Sequence, residues 1–201
     1  RSTDDGRTWK TVTLPEGYSH FRITYGEQHG GRFVVGGREK RHTYSTDGGK
    51  TWLKGQGDGG HRPVYGGGVY VSFQEHGGSL SRSDDGGATW SPPTPTPMLG
   101  VDPDLVEMAD GTLACSYGYR ILREPPDPAH GNYVAFSTDQ GERWGNLTHL
   151  PIEAHAGADR STCYTGLREV EPGKLLVTFD IGWWRTPIRY IGRRFVHVQQ
   201  V

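Results

Sequence analysis

The chain has 201 residues and carries 22 Lys and Arg against 23 Asp and Glu, a formal net charge of -1. This balance does not favour a general polyanion-binding role, so the sequence predicts no nucleic-acid partner. The 31 glycines and 13 prolines indicate many tight turns, while 6 Trp and 10 Tyr supply apolar area that a disordered chain would lack. No apolar run reaches the length that spans a bilayer, so no membrane-spanning helix is predicted.

One eight-residue phrase, S-x-D-x-G-x-T-W, recurs along the chain at spacings of 43, 38 and 54 residues. Its copies are STDDGRTW, STDGGKTW, SDDGGATW and STDQGERW, at 2–9, 45–52, 83–90 and 137–144. Short β-branched or aromatic segments lie between them, at 32–37, 68–74, 112–119, 132–137 and 174–180. A period near 40–50 residues with strand-like content predicts the blades of a β-propeller.

The phrase has the chemistry of a hairpin turn. Its Asp carboxylate can accept backbone N–H groups of its own turn, and its Gly can take a positive φ. Its Trp is large enough to seal one blade against the next. A calcium loop is the alternative for the DDGG at 84–87, but the later ligand positions of such a loop are absent, and no metal is predicted.

The phrase resembles the Asp box, or BNR repeat, of the sialidase (neuraminidase) superfamily. The resemblance implies an all-β, sialidase-type β-propeller, six-bladed in the family, in which each box joins the third and fourth strands of a blade. The chain opens inside a repeat. We therefore expect residues 1–201 to form a single, N-terminally truncated propeller domain of about four to five four-stranded antiparallel blades. The box residues are then structural: Asp4, Asp47, Asp85, Asp139, Trp9, Trp52, Trp90 and Trp144.

The face opposite the boxes collects longer loops rich in charged and aromatic residues. Because function on a rigid scaffold tends to lie in such loops, this face is the predicted binding surface. Several Arg side chains beside carboxylates suit an anionic sugar, since Arg binds a carboxylate through two parallel N–H bonds. The alternative is a solvated surface whose charges pair with one another. The candidates for substrate binding in these loops include Arg62, Glu75 and Arg160.

The stretch at 102–120 resembles the sialidase segment that runs from a Glu through an apolar strand to an Arg. The resemblance implies that Arg120 clamps the carboxylate of a sialic acid. It also puts Asp102 where the family has the Glu that polarises a Tyr nucleophile; Asp is one methylene shorter.

The stretch at 163–180 resembles the family segment in which the nucleophilic Tyr opens an innermost strand, and Tyr164 takes that position. A neutral phenol makes chemical sense there, because the carboxylate at the anomeric carbon of sialic acid repels an anionic nucleophile. The alternative is an ordinary core or rim aromatic. Family members usually have a further blade between the second Arg and the Tyr. Either that blade is absent here, or 163–167 opens the earlier blade, in which case Arg185 or Arg189 supplies the third Arg.

Two functions remain open from the sequence. The first is a retaining exo-glycosidase that releases a terminal sialic acid or related acidic sugar, with Tyr164 as nucleophile and Asp102 as its base. The second is a non-catalytic propeller that binds glycan or protein through the same face. Cys115 and Cys163 lie in apolar segments and are predicted to be buried free thiols rather than a bridge between blades. No cofactor is predicted. Secretion or a periplasmic location suits a glycan-directed protein, but no residue assigns a compartment.

Overall fold

A computed structural model describes residues 1–15, 20–37, 42–59, 62–74, 78–119, 129–152, 161–182 and 189–198. Within these residues, fifteen strands form four antiparallel sheets, three of four strands and one of three. Each sheet is a meander in which consecutive strands are hydrogen-bonded neighbours. The described part of the chain contains one short helix of a single turn. The predicted all-β fold with propeller-type blades is therefore confirmed.

The contacts divide the chain into two compact units, of which the N-terminal one spans residues 1–74 and 80–94. The sheets assigned to it have the orders β1-β2-β3-β4 and β5-β6-β7-β8. Their elements are β1 His20–Gly26, α1 Gln28–Gly31, β2 Arg32–Gly37, β3 His42–Ser45, β4 Leu53–Lys54, β5 Arg62–Gly66, β6 Val69–Phe73, β7 Ser79–Ser83 and β8 Thr94–Pro95. Val34, Tyr70 and Trp90 form the buried centre of this unit.

The C-terminal unit spans residues 75–79 and 95–201. Its sheets have the orders β9-β10-β11-β12 and β13-β14-β15. The strands are β9 Val101–Glu107, β10 Leu113–Tyr119, β11 Gly131–Ser137, β12 Gly145–Leu150, β13 Thr165–Glu171, β14 Lys174–Ile181 and β15 Tyr190–His197. Alternate apolar residues of the two sheets face each other and form one core: Met108, Ala114, Val134, Leu150, Leu175, Val177 and Phe179.

The Asp boxes are the turns between third and fourth strands, as the family resemblance implies. The boxes at 45–52, 83–90 and 137–144 connect β3 to β4, β7 to β8 and β11 to β12. In the second box, the Thr51 N–H donates to Asp47 Oδ1 at 2.9 Å and the Thr51 hydroxyl to Oδ2 at 2.7 Å. The Gly49 N–H donates to Ser45 Oγ at 2.8 Å, and φ of Gly49 is 78°. The phrase is thus a self-contained turn closed by its own Ser, Asp and Thr.

These donors keep the box carboxylates ionised. The Thr8 side chain and backbone lower the pKa of Asp4 to about 2. The backbone and side chain of Thr51 likewise hold the pKa of Asp47 well below its ordinary value. In the fourth box Arg143 replaces the Thr: its N–H donates to Asp139 Oδ1 at 2.9 Å and lowers the pKa of that carboxyl.

Burial of the box Trp residues differs between copies. Trp90 packs with Val34 and Tyr70, which belong to two different sheets, as a sealing role requires. Trp90 and Trp144 are buried, whereas Trp9 is 73% exposed. The indole N–H donates to a Gly carbonyl of its own box in both the exposed Trp9 and the buried Trp144, at 2.9 and 3.0 Å. Cys115 and Cys163 are free and buried, as predicted.

Candidate active site

In the C-terminal unit, the strands run between two ends of each sheet, and each of these ends is one face of the blade. The 137–144 box follows β11, so it shares a face with the turn at 108–112 that ends β9 and with the turn at 172–173 that ends β13. The starts of β9 and β13 lie on the opposite face. Asp102 is the second residue of β9, and Tyr164 directly precedes β13. Both residues therefore lie on the face that the sequence predicts for function.

Asp102 occupies an unusual backbone position. Its φ is 52°, in the left-handed region that a non-glycine residue rarely adopts. The pairing of β9 with β10 shifts register between Ser116 and Gly118, so the inner strand bulges at this point. Asp102 is only 7% exposed, and the bulge holds its carboxyl at the end of the strand inside the protein.

The residues before Tyr164 form a tight, buried segment, 161–163, whose side chains are all fully buried. Cys163 has a φ of 67° and lies directly on Gly118, where an added Cβ would stand 2.0 Å from the Cys163 Cβ. Tyr164 is 44% exposed, so the chain leaves the buried segment with this side chain turned outward.

Direct contacts join the starts of β9 and β13. The Thr165 hydroxyl donates to the Asp102 carbonyl at 3.2 Å, and the Ser116 hydroxyl donates to Thr165 Oγ1 at 2.9 Å. Further along the same interface, the Leu167 N–H donates to Asp104 Oδ2 at 2.9 Å. The structure thus brings the strand ends that carry Asp102 and Tyr164 together, although the chemical role of either residue stays a prediction.

The other non-glycine residues with positive φ show that the strain at Asp102 and Cys163 is unusual. Among the described residues, positive φ occurs outside glycine at five places: Asp5, Asp102, Gln140, Asn146 and Cys163. Asp5 and Gln140 lie inside Asp boxes, and Asn146 lies two residues after one. The remaining two flank the neighbouring strand starts of the candidate site. Backbone strain that the surroundings enforce clusters at functional sites.

The other candidate residues lie where the structure gives no side-chain description. Glu75, Arg120, Arg160 and Arg185 fall outside the described residues, and Arg62 begins β5 without a described side chain. Their roles remain predictions. The blade order bears on one alternative: β13 is the next strand after β12 among the described residues, and within them no further sheet separates the Asp102 blade from the Tyr164 blade.

Sequence reasoning missed the groups that hold Tyr164 in place. Asp180 is the penultimate residue of β14, and its carboxylate accepts hydrogen bonds from Ser161, Thr162 and Tyr164. His130 Nε2 lies 3.1 Å from the Ser161 carbonyl. A hairpin that turns at 172–173 brings the end of β14 to the start of β13, but the partner of Asp180 depends on a register shift that the sequence pattern does not display.

Clusters of metal-ligating side chains and long apolar helices are both absent from the described ranges. Within them, no group of three or more His, Cys, Asp or Glu side chains is arranged to hold a metal ion. The same residues include no helix of the length and apolarity needed to cross a bilayer.

Fold and repeated turn together define a β-propeller built from Asp-box blades. The family model described as "BNR/Asp-box repeat" matches residues 43–52 and 81–92, so the chain contains BNR/Asp-box repeats. These matches enclose the second and third boxes. The first and fourth boxes share with them the backbone N–H bond to Oδ1 of the box Asp.

Some of the proteins that the chain is similar to are carbohydrate-active enzymes. It is 29% identical to a xyloglucanase of a Paenibacillus species, over 94% of this chain and 22% of that protein. It therefore spans about a fifth of the length of this relative. A Dyadobacter fermentans protein of unknown function superposes with a TM-score of 0.64 at 18% identity, over 98% of this chain and 63% of that one. The leech intramolecular trans-sialidase superposes with a TM-score of 0.53 at 15% identity, over 81% of this chain and 29% of that one. At these identities the two structures bear on the fold alone.

Proposed function

We propose that this chain forms the working face of a glycoside hydrolase, with Tyr164 and Asp102 at its centre. The observation that carries the proposal is the backbone strain at Asp102 and Cys163. Thr165, two residues after Cys163, donates its hydroxyl to the Asp102 carbonyl, so the two strained residues lie near each other on the face opposite the Asp boxes. The similarity to a xyloglucanase supports action on a glycosidic bond.

The finer proposal is a retaining, sialidase-type mechanism. The Tyr164 hydroxyl attacks the anomeric carbon, Asp102 takes the phenolic proton, and a general acid protonates the leaving glycosidic oxygen. Water then attacks the anomeric carbon and breaks the glycosyl–tyrosine bond: Asp102 returns its proton to the departing phenolate, and the water gives a proton back to the general acid. Arg120, with Arg185, binds the carboxylate of the sugar in this scheme, and Arg62, Arg160 and Glu75 line the surrounding surface.

Three features support this assignment over a structural role for Tyr164. The ring is half exposed although the three residues before it are fully buried. A rigid, buried support is what a reacting group needs, because small errors of position are costly in catalysis. Asp102, at the adjoining strand start, is only 7% exposed, and shielding from water strengthens the interaction that a carboxylate makes with a phenol.

A second candidate function is recognition or hydrolysis of a neutral polysaccharide through the same face. The xyloglucanase similarity, which covers 94% of this chain, favours it. In this case the exposed ring of Tyr164 serves as a platform on which a sugar ring stacks, and its hydroxyl is not needed for a chemical step.

The test compares two substrates and two hydroxyl deletions in the full-length protein. Release of fluorophore from an α-sialoside and release of reducing ends from xyloglucan are measured for the wild type, Tyr164→Phe and Tyr44→Phe. Tyr44 is the matched control, because it loses the same hydroxyl in the N-terminal unit.

Each outcome selects one function. Sialoside turnover that Tyr164→Phe lowers by about 10³-fold, and Tyr44→Phe leaves intact, supports the retaining sialidase. Xyloglucan turnover that survives Tyr164→Phe supports the second candidate. A folded wild type that turns over neither substrate contradicts the hydrolase proposal, and binding to a glycan array then identifies a non-catalytic propeller.

A further inference from the structure

The carboxylate of Asp180 accepts hydrogen bonds from the chain segment that ends at Tyr164. Its Oδ1 accepts the Ser161 hydroxyl at 2.8 Å and the Tyr164 N–H at 3.3 Å. Its Oδ2 accepts the Thr162 N–H at 3.0 Å and the Thr162 hydroxyl at 2.5 Å. One side chain of β14 thus holds three of the four residues from 161 to 164, and both of its oxygens are used.

Contacts from the other side hold the fourth residue. The Cys163 N–H donates to Ser161 Oγ at 2.7 Å, so Ser161 links Cys163 to Asp180. His130 Nε2 lies 3.1 Å from the Ser161 carbonyl, which can only accept, so the imidazole must donate there. The Cys163 thiol packs 3.9 Å from the same imidazole nitrogen. The segment is therefore held by His130, which directly precedes β11, and by Asp180 of β14.

This arrangement explains how Cys163 keeps its unfavourable backbone conformation. A left-handed conformation at a residue with a Cβ persists only where neighbouring groups over-determine it. Loss of the Asp180 acceptors would leave buried N–H and hydroxyl groups without partners and would remove that constraint. The backbone could then relax, and Tyr164 would move with it.

We infer that Asp180 is the positioning residue for Tyr164: it does not touch the sugar, but it sets where the phenol stands. This inference rests on the proposed function, in which Tyr164 acts on the substrate. A carboxylate is needed because each of its oxygens faces a backbone N–H, which can only donate: Tyr164 at Oδ1 and Thr162 at Oδ2. An Asn at this position would offer one acceptor oxygen and would turn an amide N–H towards groups that are themselves donors.

The experiment uses Asp180→Asn in the full-length protein, with Glu169→Gln as the matched control. Glu169 also accepts two backbone N–H groups, from Ala109 at 2.7 Å and from Gly173 at 2.8 Å, but at the Asp-box end of the same blade. Two readouts are taken: amide hydrogen exchange of the peptide covering 161–165, and kcat and KM on whichever glycoside the wild type hydrolyses. Ser161→Ala is the milder second variant, for use if Asp180→Asn does not fold.

We expect Asp180→Asn to speed exchange at Thr162 and Tyr164 by about tenfold or more. We expect kcat to fall by about 10- to 100-fold with KM nearly unchanged, because the error is one of position. Ser161→Ala should shift both readouts in the same direction by less, and Glu169→Gln should leave both at wild-type values.

Three results would overturn the inference. Exchange at 161–165 that stays slow in Asp180→Asn would mean that the carboxylate does not hold the segment. Faster exchange with an unchanged kcat would mean that the segment does not position the reacting group. Equal losses of kcat in Asp180→Asn and Glu169→Gln would reduce the effect to general destabilisation. A wild type that hydrolyses no glycoside refutes the proposed function instead, and the exchange readout alone then decides whether Asp180 holds the segment.

Discussion

Replacing Gly118 with Ala should disturb the candidate site through a single added methyl group. The new Cβ would stand 2.0 Å from the Cys163 Cβ, 2.4 Å from its carbonyl oxygen and 2.6 Å from its Cα. Since ordinary contact begins at about 3.4 Å, β10 and the 161–164 segment must separate by roughly 1.4 Å. None of these atoms lies at the end of a flexible side chain, so no rotamer change relieves the clash.

Overpacking of this kind costs about 1–3 kcal/mol, which corresponds to a fall in Tm of about 2–12 °C for a chain of this length. A displacement near 1 Å at a reacting group costs about 100-fold in rate. Gly118→Ala should therefore lower both Tm and kcat, with the larger relative effect on kcat.

The assay is a thermal melt beside steady-state kinetics, with Gly145→Ala as control. Gly145 also lies in a strand of this blade, but an added Cβ there meets nothing within 4 Å. The control should match the wild type in both measurements. A Gly118→Ala protein with wild-type Tm and wild-type kcat would refute the close packing of Cys163 on β10.

Three further results are expected. Hydrogen bonds lower the pKa of the box carboxyls in the folded protein, to about 2 for Asp4, whereas the pKa of an Asp in the unfolded chain is near 4. These bonds therefore stabilise the fold fully above about pH 4, and Tm should fall as the pH is lowered from about 4 to about 2. A Tm that stays constant over this range would contradict the expectation. Burial opposes ionisation of Asp85, but bonds from Thr89 and Ser83 outweigh it and lower its pKa, so Asp85→Asn should reduce the free energy of unfolding in urea by about 1–3 kcal/mol. Cys115 and Cys163 should resist a thiol reagent in the native protein and react in denaturant; fast native labelling would place a thiol at the surface.

The fold was largely predictable because the repeated turn fixes the blade period and because the second strand of each blade is largely apolar. The segment predicted at 32–37 is β2, and the segment at 174–180 lies within β14, Lys174–Ile181. The first strands of the blades were harder to predict. β9, for example, carries Asp104, whose carboxylate serves the Leu167 N–H of the next sheet rather than an apolar core. The fourth strands β4 and β8 have two residues each, too few to show a pattern.

The place of the candidate site in the fold was predictable from the sequence, but the contacts that hold its residues were not. Tyr164 was placed at the start of an innermost strand from the family resemblance, and it directly precedes β13. Asp180 required the register of the hairpin. Glu171 lies opposite Lys174, and counting residues along both strands from this pair would place Asp180 opposite Thr165. A bulge between Glu169 and Glu171 shifts the register by one residue. Thr165 therefore lies opposite Phe179, and Asp180 lies beside Tyr164. Such a shift depends on local packing, which the sequence pattern does not display.

The most direct test of the proposed mechanism is to trap the sugar on the protein. The full-length protein is incubated with a fluorinated sialosyl fluoride, whose fluorine beside the anomeric carbon slows the second step, and its peptides are then analysed by mass spectrometry. If Tyr164 is the nucleophile, the peptide containing it gains the mass of one fluorosialosyl group, and Tyr164→Phe gains none. Labelling of another residue, or hydrolysis of the sialoside with no labelled peptide at all, would contradict the assignment of Tyr164.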